Sequence, residues 1–588
     1  SQWQYGGLIR YDRRSGEVTD IKPIEAPGEP ALRWNWDAPL EISRHNPARL
    51  YFAANRIYRT DDRGQSWRLI SLDLSRGIDR NKLPVMGKVW SMDAVAKNQS
   101  TSVYGNIVSF AESPLDENML FAGTDDGLVH LTTDGGQSWK KLSGFAGVPD
   151  MAYVSCITAS RYDVNVVYVT FQHHRSGDFK PYVYVSRDKG QTWTSIRANL
   201  PEEGMVWTLK EDHVQRNLLF VGTEFGCWFT VDGGRRWNQL KNGLPPAAIK
   251  DIAIQEREND LVLATFGRGF AVLDDYSMLR SLNPEVLKKP AHIYPVRDAL
   301  MYVPSYPLGD DGKANQGENF FTAPNPPIGA VIAYHLRDDY KTIKDQRKER
   351  EAALIKAGKP VFYPSADSIR MEDREEAPQL LFAIRNDARE LVRVLQAPAR
   401  SGSNRIVWNF RMPAVNPVSL NDPRNSEDPI GPGTAMVPPG RYTVEMYVLQ
   451  HGNMVKLSDT VGFNCVHLNH ATFSAEDKAA VFAYARKATE MQRAAMAGAS
   501  YFNGMGERVK LLRKAALESN IDLSAVATEL HQIQQSIHQL EMELNGDGSL
   551  SRREFEITPG IMGRVRKSVS SLYYISGAPT ETWQGQYT

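Results

Sequence analysis

Four eight-residue stretches, 60–67, 132–139, 186–193 and 230–237, share one spelling, and a chain that repeats it has few ways to fold. Each opens with a hydroxyl residue (Thr60, Thr132, Ser186, Thr230). An aspartate follows two positions on (Asp62, Asp134, Asp188, Asp232), a glycine two after that (Gly64, Gly136, Gly190, Gly234) and a tryptophan three further (Trp67, Trp139, Trp193, Trp237). The spacing predicts a tight hairpin. An aspartate can accept N–H bonds across its own turn, glycine supplies the positive φ, and the indole opens the next strand with a large ring to bury. Short β-branched and aromatic runs surround each copy. In the clearest, 106–110, 119–123, 128–131 and 139–142 read as four successive strands separated by Gly/Asp turns. A unit recurring over tens of residues signals a propeller or solenoid, and the last interval, from Trp193 to Trp237, approaches one four-stranded blade of about 45 residues.

The repeated spelling is the Asp-box, or BNR, motif, and it resembles the repeats of bacterial sialidases, sortilin-type receptors and two-propeller xyloglucan hydrolases. In those families the box sits on the outer rim, so the resemblance implies a β-propeller and a structural role for the box residues, not a reaction. Blade grammar predicts the outer part of one blade at 5–22, four box-bearing blades, and a sixth without a box at 248–282. A propeller closes its ring because open edges invite pairing with other chains. The expectation is a seven-bladed propeller left incomplete in this chain, with an upstream propeller or a partner chain completing the ring.

Beyond the propeller a Pro/Gly/Asn-rich linker is expected at 283–320. Strands of sandwich character at 330–334, 380–384, 405–410 and 442–446 predict an immunoglobulin-like β-sandwich over 321–470, interrupted by a charged helical insert at 338–376. From 474 the period changes to three and a half. Ser474 and Asp477 read as a capping box, and Val526, Leu530, Ile533, Ile537, Leu540 and Leu544 as a coiled-coil stripe in a helical domain reaching 588. The stretch 543–554 has the glycine and final glutamate of a calcium loop but starts on Glu543, and Pro559 cuts the exiting helix short, so an inter-helix turn is the better reading.

Composition excludes several classes. Lys plus Arg and Asp plus Glu are each 69, so no net charge draws the chain to nucleic acid or to an anionic membrane. Three cysteines (Cys156, Cys227, Cys465) are too few and too scattered for a disulfide framework or a zinc site. No apolar run is long enough for a transmembrane segment. The residues call for neither cofactor nor metal.

The order of the segments resembles a family more closely than the box alone. The run 219–226, His174 to Phe179 with 181–184, Gly402 to Arg411 and 439–444 are similar to the large bacterial secreted proteins labelled sortilin-like or BNR-repeat "glycosyl hydrolase". That resemblance covers nearly the whole chain. It implies tandem propellers, an immunoglobulin-like domain, a helical tail, and export to the periplasm or cell surface, without one settled reaction.

Strand alternation tells which loops share a face. Loops joining strands one–two and three–four lie on the box side, while those joining two–three and successive blades lie on the other, where a propeller funnel takes its ligand. Trp34, Trp36, Asp125, Asp126, His173, His174, Arg175, Asp178, Glu224 and Arg268 are the ligand-binding candidates there. Carboxylates beside exposed tryptophan suit a sugar, with Asp125, Asp126 and Glu224 as catalytic candidates; the same aspartates also suit ordinary turns. Adjacent histidines on a strand point to opposite faces, so a hydrogen-bonded pair with Asp178 is expected in place of a metal site. Hydrolysis needs two carboxylates flanking one bond. The expected function is therefore recognition of a protein or glycan ligand on the funnel face. A glycoside hydrolase sharing its site with another propeller is the alternative, and a surface scaffold docking through the helical tail is the third.

Overall fold

A computed structural model describes residues 1–95, 97, 104–303, 325–413, 435–471, 476–569, 572 and 575–585. The chain divides into two compact units, Ser1–Asn283 and Pro284–Thr588.

Among the described residues of the first unit, the strands form six small antiparallel sheets, each built from consecutive strands. Four are four-stranded: Leu40–Ile42 through Arg68–Leu69, Ile107–Ser113 through Lys140–Leu142, Tyr153–Ala159 through Thr194–Ser195, and Val206–Glu211 through Asn238–Leu240. The first strands of successive sheets pack side by side from Leu40–Ile42 to Ile249–Gln255. Hydroxyls suture them: Ser109 donates to the carbonyl of Val154 (3.0 Å), Ser155 to that of Val206 (2.9 Å) and Thr158 to that of Leu209 (2.8 Å). Inner strands in contact with outer strands fanning away make a propeller-like unit. Its cores lie between neighbouring sheets, as where Val183, Leu209, Val221 and Trp237 meet.

The two outermost sheets have three strands each. Gln2–Trp3, Gly7–Tyr11 and Val18–Asp20 pair with no other strand among the described residues, and neither do Ile249–Gln255, Asp260–Thr265 and Phe270–Leu273. Phe266, Phe270 and Val272 of the last sheet are 71%, 77% and 55% exposed. Across the axis, Glu256 takes ion pairs from Arg44 (3.2 Å) and Arg161 (3.0 Å), tying the last sheet to the second and fourth.

In the second unit two sheets share one core. Ala291–Ile293, Ala330–Leu336 and Gly402–Trp408 form one, and a six-stranded sheet built around Gly440–Gln450 forms the other. Tyr334, Phe382, Trp408, Phe410, Tyr442 and Phe463 fill the space between. The expected linker is structured in its first part. Ala291–Ile293 joins the first of these sheets, and Ala299–Met301 runs parallel to Val461–His467 in the second, because their alternate residues Ala291, Ile293, Ala299 and Met301 bury in the shared core. The charged insert holds two helices, Ile343–Lys356 and Ala366–Arg374, joined by Arg347 to Glu372 at 2.6 Å.

Asp477 itself caps the long helix Lys478–Glu518, accepting the N–H of Ala480 (2.9 Å), while Ser474 lies outside the described residues. In Leu523–Asn545 the heptad stripe does not form a buried seam: Ile537 is buried, but Ile533 and Leu540 are 44% and 49% exposed. Asp547, in the calcium-like stretch, caps the short helix Gly548–Ser551. No group of three metal-ligating side chains occurs among the described residues, and no described helix is long and apolar enough to cross a membrane.

Candidate functional site

The box hairpins show what their aspartates do. Asp62 accepts the hydroxyls of Thr60 (2.6 Å) and Ser66 (2.6 Å) and the N–H of Ser66 (2.9 Å). Asp134 repeats this with Thr132 and Ser138, and Asp188 with Ser186 and Thr192. Asp232 takes the Thr230 hydroxyl and the N–H groups of Arg235 and Arg236. These donors hold the carboxyls of Asp62 and Asp134 far below the usual range, with Ser66 and Ser138 the strongest donors. Thr192 leads in bringing Asp188 down to about 2.

Three of the four boxes are also stapled to the sheet before them, the indole N–H of Trp193 having no partner among the described residues. The indole N–H of Trp67 donates to the carbonyl of Ile21, that of Trp139 to Ile70 and that of Trp237 to Ile196, at 2.8–2.9 Å. Gly136 (φ +98°) lies so close to this neighbour that a Cβ would stand 2.6 Å from the Ile70 carbonyl oxygen. Inter-blade clefts open beside the boxes, one of about 570 Å³ lined by Ile70, Leu74, His130 and Trp139. The box carboxylates next to them are already committed to hydrogen bonds, so the chemistry has to be sought elsewhere.

At the other ends of the strands, several sequence candidates turn out to be structural. Trp34 is 7% exposed and packs its ring on Phe52 with centroids 4.7 Å apart, so it belongs to the core. Trp36 is half exposed and meets Tyr5 edge-on. Asp125 is buried and accepts the N–H groups of Gly105 (3.0 Å) and Asn106 (2.7 Å). Asp126 takes the Thr124 hydroxyl and the N–H of Arg76 (2.8 Å). Both bind down the loop entering their own sheet. Burial nevertheless pushes the Asp125 carboxyl up to about 7. The expected histidine–Asp178 hydrogen bond is replaced by others: Asp178 accepts the Tyr182 hydroxyl (2.6 Å), and His174 Nδ1 meets Gln172 Oε1. His173 stands opposite Asp178 in strand register. Arg268 is exposed on the last two–three turn, where no described residue forms an ion pair with it.

What gathers side chains at this end is a repeated irregularity. The inner strands of the third to sixth sheets each carry one residue too many against their partners, at Val108, Ser155, Trp207 and Lys250. The residue before each (Ile107, Val154, Val206, Ile249) is wholly buried. A bulge of this kind re-aims its extra side chain, a device common beside functional sites: Ser155 reaches the Val206 carbonyl of the next sheet, while Trp207 and Lys250 stay partly exposed. Trp207 and Lys250 were missed from sequence. Their signal is a broken alternation shared by three of the four strands, apolar, any residue, polar, apolar, as in Val206-Trp207-Thr208-Leu209 and Ile249-Lys250-Asp251-Ile252.

Around Trp207 three sheets converge. Its indole N–H donates to Glu224 (3.0 Å) in the adjoining turn, and His174 from the neighbouring sheet meets the ring at 5.4 Å. The Lys250 ammonium lies 2.9 Å from the Trp207 ring centroid and 5.3 Å from that of Phe266. Arg175 stands over Tyr153 at 5.4 Å. The Lys250 pKa is held below its usual value: burial weighs most, Glu224 opposes it, and Arg175 adds to it. His174 is lowered likewise by burial, then by Arg175 and Lys250. This end of the unit therefore presents aromatic faces beside the cationic groups of Lys250 and Arg175.

No family model matches this sequence, and no curated protein does. Solved structures with partial likeness include a GH74 xyloglucanase from Xanthomonas campestris, at 15% identity over 46% of this chain and 42% of that one, with a TM-score of 0.33. An ancestral GH74 enzyme shows 11% identity over 75% and 48%, with a TM-score of 0.30. The extracellular domain of a putative hybrid two component system from B. thetaiotaomicron shows 11% over 79% and 48%, at 0.32. The alignments span less than half the length of each of these three chains, and at such TM-scores the likeness carries no argument about this chain's chemistry.

Proposed function

We propose that the first unit is a propeller-like recognition module whose ligand seats on Trp207 at the strand ends opposite the boxes. One observation carries this reading: a bulge re-aims Trp207 where His174, Glu224 and Lys250 of three successive sheets meet it. Aromatic rings bordered by charged groups on rigid strand ends are what a binding site needs. Glycoside hydrolysis asks for two carboxylates either side of one bond. Asp125 and Asp126 are spent on loop hydrogen bonds, which leaves Glu224 as the one of the three candidate carboxylates beside Trp207 and favours binding over turnover. Screening the protein against glycan and peptide arrays tests the site. Binding should vanish in Trp207→Ala and persist in Trp36→Ala; the reverse would move the site away from Trp207.

The remainder of the reading is coarser. The three-stranded outer sheets, with Phe266, Phe270 and Val272 exposed, support a ring completed by a further sheet from outside the described residues. The second unit is read as an immunoglobulin-like sandwich followed by a helical bundle, and the protein as exported, which cell fractionation checks.

A further inference from the structure

We infer that the ligand at Trp207 is an acidic saccharide, a sugar chain bearing carboxylates. This rests on the reading of the site given above.

The first argument is occupancy of the ring. A neutral sugar binds tryptophan by laying its C–H face on the indole, but here that face carries the Lys250 ammonium, 2.9 Å from the centroid. A neutral ligand must displace this cation and forfeit its cation–π attraction. An anionic one draws the ammonium into an ion pair and uncovers the ring in the same movement.

The second argument is charge. Lys250, Arg175 and Arg268 form no ion pair among the described residues. Glu224 is the nearest balancing group, and one of its oxygens already takes the Trp207 N–H. Burial, more than neighbouring charge, disfavours the cationic forms of Lys250 and His174 where they stand, and Arg175 adds to it in both. A bound carboxylate offsets that cost.

The third argument separates a sugar from an acidic peptide. Extended peptides gain affinity by main-chain pairing at a free strand edge. The inner strand beneath Trp207 offers little of one: Val206–Glu211 is paired with Leu219–Thr223 on one side, and on the other its Val206 and Leu209 carbonyls already accept the Ser155 and Thr158 hydroxyls. What remains is suited to hydroxyls and ring faces, namely Glu224, Phe266 and Tyr153.

The test is titration of tryptophan fluorescence and calorimetry with alginate, polygalacturonate and hyaluronan oligosaccharides, each beside its carboxyl-reduced counterpart. At least one acidic oligosaccharide should bind about tenfold or more tightly than its reduced form. Lys250→Gln and Arg175→Gln should each weaken it by a similar factor, and added salt should weaken it as well. Arg175 is exposed, so its variant will fold even if Lys250→Gln does not. Equal or tighter binding of the reduced forms overturns the inference, as does failure of every acidic oligosaccharide at millimolar concentration or equal binding of a glutamate tetrapeptide. If reduced forms bind and Trp207→Ala abolishes that binding, the site stands and only its acidic character falls. Acidic binding indifferent to Trp207→Ala would instead remove the site itself.

Discussion

The two ends of the hairpins in the first unit draw on similar residues and put them to opposite use. At the box end, Asp62, Asp134, Asp188 and Asp232 are each surrounded by hydroxyl and N–H donors, and three of the four tryptophans donate into the sheet before them. There the aspartates close their turns and these three tryptophans staple neighbouring sheets, while the indole N–H of Trp193 finds no partner among the described residues. At the opposite end, one extra residue in each of four inner strands breaks the register, and Trp207 and Lys250 stay partly exposed with their binding capacity only partly used. Regular hairpin chemistry thus secures the frame, while a small irregularity carried on that frame frees side chains for a ligand.

The largest expected effect separates two tryptophans. Trp237 is 1% exposed and packs with Val183, Leu209 and Val221, so Trp237→Ala should cost about 3–5 kcal/mol in urea unfolding. Trp207→Ala should cost clearly less while removing binding. Equal losses of stability would erase the contrast between frame and site.

A smaller difference is expected between two glycines. Gly136→Ala brings a Cβ against the Ile70 carbonyl at φ +98° and should destabilise by about 1–3 kcal/mol. Gly267, at the other end, has φ +73° and open space around it, so Gly267→Ala carries only the left-handed backbone cost, about 1 kcal/mol. Unfolding midpoints of the two variants measure the difference.

The dependence on pH should have opposite signs at the two ends. Asp188 is depressed to about 2 in the folded protein, so its contribution is present above the unfolded value of about 4 and is lost as pH falls from there toward 2. Asp125 is raised to about 7, so the folded state keeps a proton that the unfolded chain releases, and stability falls as pH rises from about 4 to 7. Urea midpoints across pH should lose their acid-side slope in Asp188→Asn and their neutral-side slope in Asp125→Asn. An unchanged profile in both would remove the electrostatic half of the comparison.

The smallest effect is expected at Lys250, which forms no ion pair among the described residues. Lys250→Gln should leave stability within about 0.5 kcal/mol while altering ligand affinity. A large drop in the unfolding midpoint would make Lys250 part of the frame.

Much of the frame could be read from the chain because it is made of local rules. Thr132, Asp134, Gly136 and Trp139 each do their work within one hairpin or one sheet away, so their spacing alone announces them. The candidate site was harder. Trp34 and Trp36 looked alike in sequence, two positions apart, yet one ring stacks on Phe52 in the core and the other stays half exposed. Asp125 and Asp126 looked like paired carboxylates and proved to be loop ties.

By itself the sequence determined the hairpins, the sheet-by-sheet order of the first unit, the strands on either side of the second core and the helical character of the tail, because turn residues and hydrophobic period act over a few residues. Tertiary structure alone decided that residues 291–301 belong to sheets and that the heptad stripe is not a seam. It also decided that Trp207, His174, Glu224 and Lys250 share one place. Those outcomes depend on bulges and on contacts between separate sheets, and neither leaves a periodic trace in the chain.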